Sequence, residues 1–440
     1  MKRVGNLAEA LLDRGNLELA FCKAARGKWS RASVHRFSEN LDAELDSLRR
    51  DLDSGRSLFG NYRCFRVFEP KERIIHAASF RERVTHHALM NVCEPVLERA
   101  AVAASFACRK GKGRHRAIEH ARQCSLRRQW FLKMDVRKYF DSISHPVLLS
   151  MLERKFKDPL VLRVFSQIIG SHQTQPNRGL PIGSLTSQHL ANFYLGALDR
   201  FCLEDLRIGS YCRYMDDFVL WNDDRVVLKV AQGRITAFLG TELGLAPKPS
   251  PYINQTRHGM DFLGARIVGG HVKPSRKSVS RWIRKVRVLE RWNASGNLSD
   301  QDLQQRVTAA SANMVAIGGR AICRQRMSLD LGGGHTAPTA CSAAALGTTT
   351  PSTAAARTAT GTLRTTSTTT TDSGLPELDP VRGMTPVPED DPVTVQSCQL
   401  RQANRNGPIG VSSAMAVPPP AKAPMGTQET LLQMLLPGFV

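Results

Sequence analysis

Tyr211-Cys212-Arg213-Tyr214-Met215-Asp216-Asp217-Phe218-Val219-Leu220-Trp221 sets two adjacent carboxylates between two runs rich in aromatic and β-branched residues. Such runs favour strands, so the pair is expected at the tip of a β-hairpin. Adjacent aspartates repel each other and are costly to bury unpaired. A divalent cation relieves both costs, and Mg²⁺ takes carboxylate oxygens together with substrate phosphates. An Asp-Asp pair alone is most often a solvated turn, so the weight falls on a third carboxylate. Trp130-Phe131-Leu132-Lys133-Met134-Asp135 provides one, as a hydrophobic strand ending at Asp135 and followed by a turn and the aromatic pair Tyr139-Phe140. Two-metal phosphoryl transfer needs carboxylates that hold ions ~3.5–4 Å apart. Asp135 at one strand end, with Asp216 and Asp217 on a neighbouring hairpin, is a set of that kind.

These two motifs, with Gly179-Leu180-Pro181-Ile182-Gly183-Ser184-Leu185-Thr186-Ser187-Gln188 between them, resemble in content and in order the palm motifs of reverse transcriptases. The resemblance runs over roughly residues 60–300. It implies an α+β right-hand polymerase fold, with fingers, a palm built on an antiparallel sheet and a short helical thumb. It also implies an RNA-directed DNA polymerase with a two-metal mechanism. Asp135, Asp216 and Asp217 would be the catalytic ligands of two Mg²⁺ ions. Phe140 occupies the position of an aromatic that packs under the sugar of the incoming deoxynucleoside triphosphate, where it would exclude a ribose 2′-hydroxyl. The spacing alone is equally compatible with Phe140 as core. Lys71 and Arg73 resemble the fingers residues that hold the triphosphate, Lys as a point charge and Arg as a bidentate fork. Ile182, Gly183, Gln188 and Lys248 complete the nucleotide-binding set. Arg83, Arg109 and Lys112 resemble residues along the template, and Gly111 and Gly113 would allow close backbone approach there. Gly259-Met260-Asp261-Phe262-Leu263-Gly264 resembles the hairpin that grips the primer, with Gly259, Phe262, Leu263 and Gly264 as its contacts. RNA template and a DNA or RNA primer are the implied partners.

The motif around Ile182 narrows the resemblance. Most retroviral and group II intron enzymes carry Pro-Gln-Gly and end in Ser-Pro, whereas this chain has Pro181-Ile182-Gly183 and ends in Ser187-Gln188. That pattern resembles the reverse transcriptases of diversity-generating retroelements, which copy a template-repeat RNA and mutagenise at adenines. Family members work with a small basic accessory variability protein, so one is expected here. An apolar Ile182 cannot supply the hydrogen bond of an amide, and sites built on hydrogen bonds discriminate better than apolar ones. A retron-type or phage-defence polymerase is the alternative within the class. A catalytically impaired RNA-binding remnant left by a frameshift is the alternative outside it.

The tail bears on the same question. Threonine codons are ACN and alanine codons GCN. Shifted one base upstream, each Thr becomes Asn, Asp, His or Tyr; with a permitted codon choice the run Thr368 to Thr371 becomes asparagine codons and Ala343–Leu375 reads as an asparagine-rich segment. Residues 329–440 are therefore expected to be a disordered low-complexity tail and an out-of-frame template repeat, with a composition of Thr, Ala, Gly, Ser and Pro that lacks periodic apolar positions.

The rest of the chain fits a basic, two- or three-domain protein. There are 440 residues, with Lys+Arg 61 against Asp+Glu 39, a formal charge of +22. That balance calls for a polyanionic partner bound in a salt-sensitive way. Residues 1–60 form an N-terminal helical segment in which Leu41, Leu45, Leu48 and Leu52 repeat at helical spacing up to Gly55. Residues 61–265 make the fingers and palm, with a strand over Cys64–Phe68 and a helix over Arg81–Glu98. Residues 266–328 make a thumb-like basic helical segment. The 10 cysteines show no paired metal-ligand spacing, which points to reduced thiols and a cytoplasmic location. No apolar run approaches the ~20 residues of a membrane helix, so no membrane partner is expected.

Overall fold

The computed structural model describes residues 3–56, 58–68 and 72–329. Lys71 and the proposed template-repeat tail lie outside the described residues.

The chain begins with four helices, Ala8–Leu12, Arg14–Ala25, Ala32–Glu39 and Leu41–Ser54. The leucine spacing read from the sequence is that of the last one. Leu45, Leu48 and Leu52 are buried, and Gly55 ends the helix with φ +78, a conformation that costs glycine little. Strands β1 (Arg63–Val67) and β2 (Arg73–Ala77) pair antiparallel as a hairpin. The long helix Phe80–Ala100 follows. Its start is fixed by a capping box in which the Ser79 hydroxyl accepts from the Glu82 N–H and the Glu82 carboxylate accepts from the Ser79 N–H. Glu82 also accepts from the backbone N–H groups of Gly60 and Asn61 at 2.7 and 3.2 Å, tying the segment before β1 to this helix.

The central sheet has four antiparallel strands in the order β4-β5-β3-β6, where β3 is Trp130–Asp135, β4 Ser210–Tyr214, β5 Asp217–Asn222 and β6 Tyr252–Gln255. Side chains alternate faces along a strand. Leu132, Met134, Tyr211, Phe218 and Leu220 join one apolar cluster with the N-terminal helices and the helices His145–Glu153, Pro159–Gly170, Leu185–Tyr194 and Arg225–Thr241. Phe131, Cys212, Val219 and Trp221 join a second cluster with the helix Arg114–Arg127 and a small sheet. Because both faces are covered, these strands read as nearly unbroken apolar runs. Each fully buried Phe or Leu contributes about 1.5–3 kcal/mol, and Trp221→Ala would cost about 3–5 kcal/mol.

The small sheet is β7 (Met260–Phe262), β8 (Ala265–Val268) and β9 (His271–Pro274), paired in that order. Here the structure corrects the expectation of a helical segment from 266: strand continues to Pro274, and helix begins only after the N-cap Ser275. The reason is local. Ala265-Arg266-Ile267-Val268 alternates apolar and polar, and the Gly269-Gly270 turn, with φ +54 and +77, folds the chain back. The helices Arg276–Ala294, Asp300–Ala316 and Arg320–Leu329 then pack on each other through Trp282, Val286, Leu289, Val307, Met314 and Cys323. The Trp282 indole donates to the Ser311 hydroxyl at 3.1 Å.

Among the described residues, Cys64, Cys93, Cys108, Cys124, Cys202, Cys212 and Cys323 are free. No helix among the described residues is long and apolar enough to cross a membrane.

Candidate active site

The aspartate pair does sit on a hairpin. Tyr214 faces Asp217 in register, so Met215-Asp216 is a two-residue turn joining β4 to β5. Met215 has φ +54, a left-handed conformation that costs a residue with a Cβ about 1–2 kcal/mol. The surrounding bonds hold it. The Arg213 guanidinium donates to the Met215 carbonyl at 3.1 Å, and the Asp216 carbonyl accepts from the Val136 N–H at 3.3 Å. β4 is an edge strand, and residues 104–106 cover its edge: Arg213 N–H donates to Ala104 O at 2.9 Å, and Phe106 N–H to Arg213 O at 3.0 Å.

β3 pairs with β5 so that Asp135 lies opposite Asp217. Three carboxylates therefore meet at one end of the sheet, on the turn and the two strand ends. Lys133, two residues before Asp135 and so on the same face, pairs with Asp217 Oδ2 at 3.1 Å. Lys248 bonds the Asp135 carboxylate with its ammonium and the Asp135 carbonyl with its N–H, the latter at 2.8 Å. Burial, together with the charges of Asp135 and Asp217, raises the Asp216 pKa from 3.8 to about 6. Burial likewise raises Asp217 to about 6, against the opposing pull of Lys133.

A hard divalent cation fits this donor set. Asp135 Oδ1 and Asp217 Oδ1 are buried acceptors with no hydrogen-bond partner, and buried acceptors of that kind are rare unless something else satisfies them. Among the described residues, no three acid, His or Cys side chains already stand around a single point; Lys248 and Lys133 occupy the other oxygens of Asp135 and Asp217.

The other expected site residues divide into those near this end of the sheet and those used elsewhere. Arg73 is exposed at the start of β2. The same strand docks on the Ile182 turn, where the His76 N–H donates to the Ile182 carbonyl at 2.8 Å. Gly183 has φ +109, and a Cβ there would lie 2.7 Å from Ile75 Cγ2, so only glycine lets β2 approach. Phe140 is half-buried, packs against the main core and meets Tyr139 edge-on. Gln188 stands on the first turn of the helix Leu185–Tyr194 and accepts from the Cys108 thiol at 3.5 Å. Arg83 lies over the Phe80 ring at 5.4 Å, and its buried Nε has no hydrogen-bond partner. Lys112 lies over Phe106 at 4.8 Å and donates to Ala103 O.

Arg109 and Phe262 are placed differently from the expectation of nucleic-acid contact. The Arg109 guanidinium pairs with Glu98 at 2.7 Å and donates to the carbonyls of Val102 and Ser105; its side chain is 8% exposed. Its donors are spent inside the protein. Phe262 is buried in the second cluster, as period-two alternation in a covered strand requires. Leu263 and Gly264 form the tight β7–β8 turn with φ +49 and +79, and Leu263 O accepts from Arg114 at 2.8 Å. Gly259, at φ +79, precedes β7.

Sequence reading missed Lys133 and Arg213. For Lys133 the signal was the period of two that places it on the face of Asp135. Arg213 was legible only as the one charged residue inside an otherwise apolar strand.

The antiparallel sheet thus carries three carboxylates at one end, at the tip of the β4–β5 hairpin and at the end of β3, a palm-like arrangement. Residues 69–266 match the family model described as reverse transcriptase (RNA-dependent DNA polymerase). Protein YkfC of Escherichia coli is 23% identical over 279 residues, which cover 52% of this chain and 72% of that protein. Group II intron-encoded protein LtrA of Lactococcus lactis is 25% identical over 142 residues, covering 30% of this chain and 23% of LtrA. Nuclear intron maturase 1 of Arabidopsis thaliana is 31% identical over 97 residues, 22% of this chain and 13% of the maturase. The chain thus spans under a quarter of these two intron-related relatives. Among solved structures, apo telomerase from Candida tropicalis aligns over 63% of this chain and 59% of its own, with a TM-score of 0.42 and 11% identity.

Proposed function

We propose that the protein is an RNA-directed DNA polymerase of the diversity-generating type, copying a template-repeat RNA into cDNA with misincorporation opposite adenine. The observation that carries the polymerase reading is the in-register placement of Asp135 against Asp217, with Asp216 on the connecting turn and two unpartnered buried carboxylate oxygens. The mutagenic reading rests on Ile182 and Ser187-Gln188.

Asp135, Asp216 and Asp217 would hold two Mg²⁺ ions, whose charge when bound assists the attacking and leaving oxygens of nucleotidyl transfer. The chain's own groups do the remainder. Lys133 holds one oxygen of Asp217 and leaves the other without a hydrogen-bond partner. Lys248, held at Asp135 by its own backbone bond, would meet the growing charge of a leaving pyrophosphate. Arg73, with Lys71, would clamp the triphosphate. The carbonyl of Ile182, fixed by His76, would set the floor of the nucleotide pocket, and Phe140 would lie under the sugar. Arg83, Lys112, Gly259, Leu263 and Gly264 would follow template and primer. On this reading residues 61–265 are fingers and palm, with 276–329 as thumb. The packed core of the three thumb helices favours an intact enzyme over a frameshifted remnant.

Mg²⁺-dependent extension of a primer on an RNA template, absent in Asp216→Asn, tests the polymerase reading. Sequencing the products tests the rest: errors should concentrate opposite template adenines, and Ile182→Gln should reduce them. An adenine error rate that Ile182→Gln leaves unchanged rejects the assigned role of Ile182.

A further inference from the structure

One ion pair in the palm has no counterpart in the proposed chemistry. Arg213 and Asp199 are 1% and 0% exposed. Arg213 Nε and Nη2 donate to the two oxygens of Asp199, both at 2.6 Å. Nη1 donates to Asn192 Oδ1 at 2.8 Å and to the Met215 carbonyl at 3.1 Å, and Nη2 also donates to the Asn192 carbonyl at 3.1 Å. All five donors of the fork are thus in use. Asp199 additionally accepts from the Tyr211 hydroxyl at 2.8 Å. Asn192 reaches onward, donating to Ala107 O at 3.0 Å and accepting from the Ser105 hydroxyl at 3.2 Å.

Stability is a poor explanation for such a pair. Desolvating two charges costs several kcal/mol, and well-packed apolar replacements are often as stable or more so. What an apolar pair cannot reproduce is the bond to Met215 O. That carbonyl belongs to the left-handed turn residue immediately before Asp216. A guanidinium held on four sides is a rigid strut, and its fifth bond fixes the turn that aims the Asp216 carboxylate. Through Asn192, the same strut spans the helix Leu185–Tyr194, which carries Gln188, and the segment 105–107 along the β4 edge.

We propose that Arg213, oriented by Asp199 and Asn192, is a positioning residue that sets where Asp216 stands relative to Asp135 and so tunes the divalent-cation site. The proposal rests on the polymerase reading only for its activity readout; its metal readout stands independently. In the full-length protein, Arg213→Met with Asp199→Leu removes the pair without leaving a lone buried charge. Arg213→Lys keeps the charge and loses the fork. Mn²⁺ binding, followed by electron paramagnetic resonance, is measured alongside thermal melting and primer extension. Outer partners of metal ligands are typically worth about 10–100-fold in affinity or rate. The double variant should melt near the wild type, bind Mn²⁺ at least about tenfold more weakly, and lose kcat with little change in the KM for deoxynucleotide. Arg213→Lys should shift Mn²⁺ affinity in the same direction, and it decides the matter if the double variant does not fold. Wild-type Mn²⁺ affinity in a folded variant overturns the proposal. Failure of the wild type to extend primers, with Mn²⁺ binding still dependent on Arg213, would instead overturn the polymerase reading alone.

Discussion

Asp216→Asn should stabilise the metal-free protein at neutral pH while abolishing its proposed activity. The folded state holds Asp216 at a pKa of about 6 against an ordinary 3.8, because the carboxyl is buried and faces Asp135 and Asp217. At 1.36 kcal/mol per unit this amounts to about 3 kcal/mol, reduced to about 2 by the side chain's remaining contact with solvent. A raised acid pKa means that the folded state binds more protons than the unfolded one between these values. Stability from this group is therefore complete below about pH 4 and is lost as pH rises through about 6. Asparagine removes the charge and the pH dependence together. In EDTA, melting of the two proteins should nearly coincide at pH 4 and diverge by pH 8, with Asp216→Asn higher by a few degrees for about 2 kcal/mol. Adding Mg²⁺ at pH 8 should reverse the order, since only the wild type gains binding free energy in the folded state. A melting difference between wild type and variant that is the same at pH 4 and pH 8 in EDTA would refute the account of a site held under electrostatic strain.

Three further outcomes follow from particular contacts. Gly183→Ala should cost about 1–3 kcal/mol in a urea titration, because the new methyl meets Ile75 Cγ2 and the φ of +109 disfavours it. Lys248→Met should remove the charge facing Asp135, lowering metal-free stability and slowing primer extension about 10–100-fold, with the larger effect on kcat. Arg109→Ala should destabilise the fold by about 3 kcal/mol, since it strips Glu98 and two carbonyls of their donor. The salt dependence of RNA affinity should stay unchanged in that variant; a slope reduced by about 1 would restore Arg109 as a phosphate contact.

The hairpin around Asp216, the strand ending at Asp135 and the helix closed by Gly55 were legible because each rests on a local signal: alternation, β-branched content or a left-handed cap. The correction at 266–274 arose where a strongly basic composition masked a short alternating strand. Phe262 is buried and Arg109 is paired inside the protein for a common reason. A motif says which residues stand together in the chain, whereas burial and partners are set by whatever packs above them. Fold class and the three carboxylates were thus determined by the sequence itself, through period, spacing and order along the chain. The tertiary structure alone decided that Asp135 faces Asp217 in register, that Lys133 and Lys248 attend them, and that a buried guanidinium braces the turn. The first two depend on segments 80 or more residues apart coming together and the third on a helix packing against the hairpin, and no local pattern encodes a contact that only tertiary packing creates.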